Sequence, residues 1–127
     1  MKSLKLAALA AFAAASLAPF TAQAQDAAAG AGLFQARCTS CHTADNGAAS
    51  ITGPNLFDVA GSIASNRGID FDYSDALIDS GVIWDDDNLD AWIESPADLV
   101  PGNKMPFPGL ADAGERADIV AYLKTLK

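Results

Sequence analysis

The stretch Cys38-Thr39-Ser40-Cys41-His42 decides how the rest of this chain is interpreted. It holds both cysteines of the sequence and its one histidine. One helical turn would bring these three side chains to the same side of the backbone, because residues three and four apart share a face. Two thiols can form thioether bonds with the vinyl groups of one porphyrin, and the adjacent imidazole can bind its iron. The C-x-x-C-H spacing is therefore typical of a site to which a c-type haem is attached.

Three other interpretations of the cysteine pair are a structural disulfide, a redox dithiol and half of a zinc site. A closed zinc site takes four Cys or His ligands, whereas this chain offers three. A thioredoxin-like dithiol belongs in a βαβ context, which the hydrophobic pattern does not predict. Free cysteines of an exported chain tend to form a disulfide, but thioether bonds would use both sulfurs. Covalent haem c is the interpretation that uses the whole motif.

The first residues have the pattern of a secretory signal peptide, which we place at 1–24. Lys2 and Lys5 supply a positive start, 6–18 is rich in alanine and leucine, and Ala22-Gln23-Ala24 is a cleavage box. An uncleaved anchor is the alternative, but the apolar run is shorter than the ~20 residues that span a bilayer. We expect a single domain at 25–127 in the periplasm, without a membrane span in the mature chain.

The charge of the mature chain excludes some partners. Two of the 8 basic residues, Lys2 and Lys5, lie in the signal segment, which leaves 6 basic against 16 acidic residues and a formal charge of −10. A chain this acidic is not expected to bind nucleic acid or an anionic membrane surface. It would be steered toward basic partners.

The hydrophobic pattern and capping signals predict helices at 26–37, at 74–80, from Asp85 to a stop before Pro96, and at 112–127. Three prolines and two glycines in 100–109 exclude a regular helix there. Met105 lies in this stiff loop and is the only methionine outside the signal. A gap-filling core methionine is the ordinary interpretation. With haem present and no second histidine, Met105 is the strongest candidate for the sixth iron ligand.

The mature sequence resembles class I cytochrome c, the small electron carriers of bacteria and mitochondria, over essentially its whole length. The resemblance implies an all-α fold in which the N- and C-terminal helices pack together around one covalently bound haem. Besides the haem motif, it rests on Gly30, Phe34, Gly53-Pro54-Asn55-Leu56, Tyr73-Ser74-Asp75-Ala76, Trp84, the helix before Pro96, Pro101-Gly102-Asn103-Lys104-Met105, Phe107, Glu115-Arg116 and 119–123.

The resemblance also implies a set of haem and iron contacts. Cys38 and Cys41 would carry the thioethers, His42 would be the proximal iron ligand and Met105 the distal one. The carbonyl of Pro54 would accept the ring hydrogen of His42 and so orient the imidazole.

Other residues match or depart from the family pattern around the haem. Tyr73 and Trp84 would donate hydrogen bonds to a haem propionate. Trp92 and Asn103 stand where a tyrosine and a threonine are usual. Gly30 and Phe34 would pack against Ile119 and Tyr122.

Three departures concern charge and loop geometry. Phe57-Asp58 replaces a common His-Gly pair, and Ser62-Ile63 replaces a basic pair, so that one propionate would lose a cationic neighbour. Ala97-Asp98 stands where lysines are usual, although Lys104 remains. Most of the basic docking ring of the mitochondrial protein is therefore missing.

These observations predict a monomeric periplasmic carrier of single electrons rather than an enzyme. Its partners would be redox proteins: a cytochrome bc-type complex, a terminal oxidase or a periplasmic dehydrogenase. One alternative is a dedicated electron acceptor or subunit of a single dehydrogenase, which the acidic composition motivates. Another is a haem peroxidase or ligand-binding protein with an open sixth position, which ligation by Met105 would disfavour.

Overall fold

The structure, a computed structural model, describes residues 25–127, so the signal segment expected at 1–24 lies outside the described residues. It contains five helices: α1 Ala27–Arg37, α2 Asp75–Ser80, α3 Asp86–Glu94, α4 Pro96–Leu99 and α5 Ala113–Leu123. Within 25–127 the extended backbone pairs only at an isolated antiparallel bridge between Ile63 and Ile83. The all-α prediction is confirmed. None of the described helices combines the length and the apolar character needed to cross a bilayer.

Polar side chains mark where four of the helices begin. Each accepts a hydrogen bond from a backbone N–H group of the first turn, which has no partner inside the helix. These residues are Asp26 for α1, Ser74 for α2, Asp85 for α3 and Asp112 for α5. Gly81 ends α2 in the left-handed region at φ 63°, which glycine adopts without the steric cost of a Cβ.

Pro96 separates two helices instead of ending helical structure. As predicted, the helix that contains Trp92 stops before this proline: α3 ends at Glu94, and Ser95 is extended at φ −159° and ψ 98°. A residue before proline is kept out of helical geometry by the ring. Pro96 then begins the short helix α4, which the sequence did not predict, at a position where its missing N–H has no helical partner to lose.

The last helix is shorter than predicted. The sequence pattern continues to Lys127, but α5 ends at Leu123. The final residues are held by the loop that follows Leu56. Asp58 donates its backbone N–H to Leu126 O at 2.7 Å. The ammonium of Lys127 contacts the Asp58 carboxylate at 2.8 Å and donates to the carbonyl oxygen of Ala60 at 2.9 Å. These tertiary contacts compete with another helical turn.

The terminal helices α1 and α5 pack directly on one another, as the resemblance implied. Gly30 is buried where the helices cross, and a Cβ added there would collide with the backbone carbonyl of Asp118. One turn later, the rings of Phe34 and Tyr122 lie with their centroids 5.2 Å apart at 51°. The absence of a side chain at Gly30 therefore allows the close crossing.

A buried arginine joins α5 to α3. Arg116 is 6% exposed. Its guanidinium donates to the carbonyl oxygens of Leu110 and Ala111 at 3.0 and 2.9 Å, and to the Asp90 carboxylate at 2.8 Å. Buried charge is tolerated when its donors are paired in this way. Helix α5 thus packs against both α1 and α3, and the three helices form a frame.

Candidate haem and iron site

A mainly apolar cavity of about 570 Å³ lies between the helical frame and the loops. The structure brings to its wall all the residues predicted to contact haem or iron: Cys38, Cys41, His42, Pro54, Tyr73, Trp84 and Met105. Apolar side chains from α1, α3 and α5 complete the wall, among them Phe34, Leu89, Ile93, Ile119 and Leu123. An apolar cavity with a few convergent polar groups is typical of a cofactor site.

The two cysteines lie on the turn that follows α1. Cys38 caps the helix, and its carbonyl accepts hydrogen bonds from the N–H groups of Cys41 and His42 at 3.1 and 2.9 Å. No disulfide joins the two sulfurs. Burial raises the pKa of the Cys38 thiol to about 11, although the charge of Arg37 opposes this rise. A redox dithiol needs a lowered pKa, so this environment does not suit that alternative.

The imidazole of His42 is buried and oriented by one backbone carbonyl. Its Nδ1 lies 2.8 Å from the carbonyl oxygen of Pro54, and its side chain lines the cavity. A carbonyl can only accept, so Nδ1 carries the hydrogen and Nε2 keeps its lone pair. Burial lowers the pKa of His42, the Pro54 hydrogen bond raises it, and the charge of Arg67 lowers it. The net lowering favours the neutral ring that metals bind.

Gly53 lets the following loop pack against the imidazole. Its backbone N–H donates to the carbonyl of Cys41 at 2.7 Å. A Cβ at this position would lie 2.6 Å from Cε1 of His42, closer than such contacts occur. The glycine therefore places Pro54 within hydrogen-bonding distance of the ring.

Asn103 organises the loop that carries Met105. Its side-chain amide donates to the carbonyls of Pro96 and Val100, each at 2.9 Å. Its side-chain oxygen accepts the backbone N–H of Met105 at 2.8 Å. Trp92 of α3 also lines the cavity and packs on Trp84 with ring centroids 5.2 Å apart. The hydrogen bonds of Asn103 hold Met105 on the cavity wall.

Tyr73 and Trp84 present polar groups on mainly apolar rings. Trp84 is 6% exposed and belongs to the core. Tyr73 packs edge-on against Phe71 with ring centroids 5.0 Å apart. The hydroxyl of Tyr73 is buried and has no hydrogen-bond partner among the described residues. Buried donors are nearly always paired, so this hydroxyl fits an acceptor within the cavity.

Arg67 also belongs to the site, although the sequence pattern did not predict it. Its side chain lines the same cavity, and its guanidinium donates to the carbonyls of Asn55, at 2.5 Å, and Phe57. The signal was available, because Arg67 is the only basic residue between Arg37 and Lys104. However, Arg67 lies in a loop without a periodic pattern, so the sequence did not indicate where its side chain lies.

The donor set fits a c-type haem better than a metal ion alone. No group of three or more His, Cys, Asp or Glu residues able to hold a metal ion occurs within residues 25–127. A zinc site on the Cys38–His42 motif would need such a group. An imidazole and a thioether sulfur on one apolar cavity are the donors of a His/Met haem iron.

The comparisons with known proteins agree with this geometry. The family model for cytochrome c matches residues 27–127. Cytochrome c of Theileria annulata is 42% identical over 99 residues, covering 78% of this chain and 84% of that protein. Cytochrome c2 of Rhodopila globiformis is 45% identical over 97 residues, covering 75% and 88%. The structure of cytochrome cH from Methylobacterium extorquens matches with a TM-score of 0.73 and 42% identity, covering 79% of this chain and 98% of that one.

Proposed function

The chain belongs to the cytochrome c family, and we propose that it is a periplasmic carrier of single electrons with His42 and Met105 as iron ligands. It binds haem c covalently and is an electron-transfer protein, as its family is. Bound haem supplies an iron that gains and loses one electron. The proposal depends on the observation that His42 and Met105 line one cavity.

Cys38 and Cys41 attach the haem in this proposal. Their turn keeps both sulfurs near the cavity and places the next residue, His42, on the cavity wall. Covalent attachment also places a large apolar group in the centre of the domain. A domain of about one hundred residues forms only a marginal core by itself.

His42 acts as the proximal ligand through Nε2. The hydrogen bond from Nδ1 to Pro54 holds the ring in one tautomer and one orientation, which raises the basicity of the ligating nitrogen. Because Gly53 packs against the ring and the Pro54 carbonyl accepts its hydrogen bond, the imidazole would be held in one orientation.

Met105 acts as the distal ligand through its sulfur. Asn103 holds its backbone N–H, and the loop is anchored to α4 and its C-terminal cap through the carbonyls of Pro96 and Val100. A thioether ligand raises the reduction potential of a haem iron. It also closes the sixth position, which argues against the peroxidase or ligand-binding alternative.

Tyr73 and Trp84 contact haem propionate in this proposal. The unpaired hydroxyl of Tyr73 supports its part. Trp84 lines the same cavity and is buried against Trp92.

We further propose that residues 1–24 are removed as a secretory signal and that 25–127 acts as a monomer in the periplasm. The positive start, apolar run and cleavage box of the sequence support this processing. Mass spectrometry of the protein purified from the periplasmic fraction tests it. An N-terminus at Gln25 is expected, whereas an intact Met1 in the membrane fraction would contradict it.

The surface charge favours a basic redox partner. Each lysine in the described part of the chain forms an ion pair with an aspartate: Lys104 with Asp72, Lys124 with Asp86 and Lys127 with Asp58. Few free cations remain on a chain with 16 acidic residues. This favours electron exchange with a single basic dehydrogenase as the second candidate, alongside shuttling between a cytochrome bc-type complex and a terminal oxidase. Reduction by a purified dehydrogenase that slows steeply with added salt, without reduction by the quinol-oxidising complex, would support the second candidate.

Replacing Met105 with alanine tests the carrier assignment. Haem should stay attached on a denaturing gel stained for haem, because the thioethers are intact. The reduction potential should fall, because a thioether ligand is lost. In the reduced wild-type protein, the ring current of the haem should shift the methyl proton resonance of Met105 far upfield. An unshifted methyl and an unchanged potential would show that Met105 is not the ligand.

A further inference from the structure

Arg67 is a half-buried cation without a carboxylate partner in the described part of an acidic chain. Its Nη1 donates to the carbonyl oxygen of Asn55 at 2.5 Å, and its Nη2 donates to that of Phe57. The ion pairs of the described residues are made by other cations: Lys104, Arg116, Lys124 and Lys127. Two neutral carbonyls orient the guanidinium but leave its charge uncompensated.

A second observation concerns buried polar atoms on the cavity wall. Nε of Arg67 and the hydroxyl of Tyr73 are the buried side-chain polar atoms that lack a hydrogen-bond partner within residues 25–127. Both side chains line the haem cavity. Leaving buried donors unpaired costs free energy, so two such donors on one cavity indicate an acceptor that binds there. Burial raises the pKa of Tyr73, whereas the charge of Arg67 and its hydrogen-bonding proximity to the Tyr73 hydroxyl oppose this rise, as expected for neighbours.

We propose that Arg67 and Tyr73 together bind one propionate carboxylate of the haem, with Arg67 supplying its counter-charge. Two donors match the two oxygens of a carboxylate, and a charge-assisted hydrogen bond from a guanidinium is a strong one. The inference rests on the proposed haem site and goes beyond it, because the family resemblance gave no cation for this role.

The positions where the resemblance leads one to expect a cation do not supply one. The hydroxyl of Ser62 donates to the carbonyl oxygen of Val59 at 2.6 Å. Ile63 is uncharged and 46% exposed. Arg67 lies later in the same loop and lines the cavity. It therefore supplies the positive charge that Ser62 and Ile63 do not.

The carbonyls that hold Arg67 give it a positioning role as well. Asn55 and Phe57 follow directly after Pro54, the residue whose carbonyl orients His42. Arg67 therefore links the carboxylate to the loop on the histidine side. Its removal should alter both the charge near the iron and the order of that loop.

The reduction potential as a function of pH tests the proposal, measured by spectroelectrochemistry between about pH 4 and pH 8. In the wild-type protein we expect a nearly flat curve, because Arg67 holds the propionate ionised. In Arg67→Gln the equilibrium constant for reduction at neutral pH should fall about tenfold, equal to about 59 mV for one electron, because a nearby positive charge no longer disfavours ferric iron. The potential should then rise as the pH falls and the propionate is protonated.

Arg67→Lys should restore the flat curve at least in part, since it keeps the charge while losing the planar donors. Tyr73→Phe should show a weaker pH dependence than Arg67→Gln. Arg116→Gln is the matched control, because it removes a buried arginine outside the cavity. Should Arg116→Gln reproduce the curve of Arg67→Gln, or Arg67→Gln keep the wild-type curve, the proposal is wrong.

Other ionisable groups along the cavity do not account for the expected curve. Cys38 and Cys41 would be thioethers and His42 an iron ligand. The hydrogen bond and the charge of Lys104 hold the pKa of Asp72 below its ordinary value. The remaining charged group on the cavity wall is Arg37, which is exposed.

A second experiment tests the proposal even if Arg67→Gln does not fold. It is carbon-13 NMR of the wild-type protein with haem labelled at the propionate carboxyls. One carboxyl should stay ionised to the lowest pH of the titration. Ordinary titration of both carboxyls would overturn the inference. The methyl resonance of Met105 in the same sample reports the iron ligand separately, so failure of the proposed ligation and failure of the Arg67 assignment give different results.

Discussion

The side-chain oxygen of Asn103 accepts a hydrogen bond of 2.8 Å from the backbone N–H of Met105. The same side chain donates to the carbonyls of Pro96 and Val100. One amide thus satisfies three backbone groups and ties the Met105 loop to α4. The family resemblance puts a threonine at this position, and a hydroxyl cannot make all three bonds.

Replacing Asn103 with alanine should loosen the Met105 loop. We expect the free energy of unfolding to fall by about 1–3 kcal/mol, because backbone groups lose their partner. Denaturant unfolding measures this loss, and the upfield methyl resonance of Met105 should broaden or weaken. Asn103→Thr is the control, because its hydroxyl can still accept the N–H of Met105. Its free energy of unfolding should fall by less. Equal losses in both variants would show that the contact with Met105 has no effect.

Replacing Gly30 with alanine should separate the terminal helices. The new Cβ would collide with the carbonyl of Asp118, and overpacking of this kind costs about 1–3 kcal/mol. Gly32 in the same helix is exposed and has no atom within 4 Å of an added Cβ. Gly32→Ala should therefore stabilise the protein by about 0.5–1 kcal/mol. Thermal unfolding of the two variants should show shifts of opposite sign. A stabilised Gly30→Ala variant would be incompatible with the observed crossing.

Replacing Gly53 with alanine should disturb the proximal side of the site. The Cβ would overlap His42 Cε1, so the ring must turn away from Pro54 or the loop must move. We expect haem to remain attached, with a changed reduction potential and a free energy of unfolding lower by about 1–3 kcal/mol. Redox titration and denaturant unfolding measure both. Gly32→Ala again serves as the control, and an unchanged potential in Gly53→Ala would contradict the packing described.

The carboxylate of Asp58 should contribute stability that is lost in acid. Its hydrogen bond and ion pair with Lys127 hold the pKa of Asp58 below its ordinary value. The contribution is therefore present above the unfolded pKa of about 3.9 and disappears as the pH falls through the lower folded value. Carbon-13 NMR titration of the Asp58 carboxyl tests this. In Lys127→Gln its pKa should move up toward the ordinary range, whereas Lys124→Gln should leave it in place.

Local signals in the sequence predicted most helix starts and stops. Asp26, Ser74, Asp85 and Asp112 cap helices because a short polar side chain can reach the first-turn N–H groups without help from the rest of the chain. The stop before Pro96 is equally local. The end of α5 was not predictable in this way. Lys127 leaves the helix for Asp58 and Ala60, which lie 69 and 67 positions away in the sequence.

The sequence by itself determined the haem motif, the helical class and the residue types able to bind iron, because spacing and composition carry that information locally. Tertiary structure alone decided which side chains share the cavity. Arg67 shows the difference: its loop has no periodic pattern, and only the fold reveals that its Nε and the hydroxyl of Tyr73 are buried without partners on one cavity. Whether a polar group is paired or unpaired depends on neighbours distant in sequence, so no local pattern can predict it.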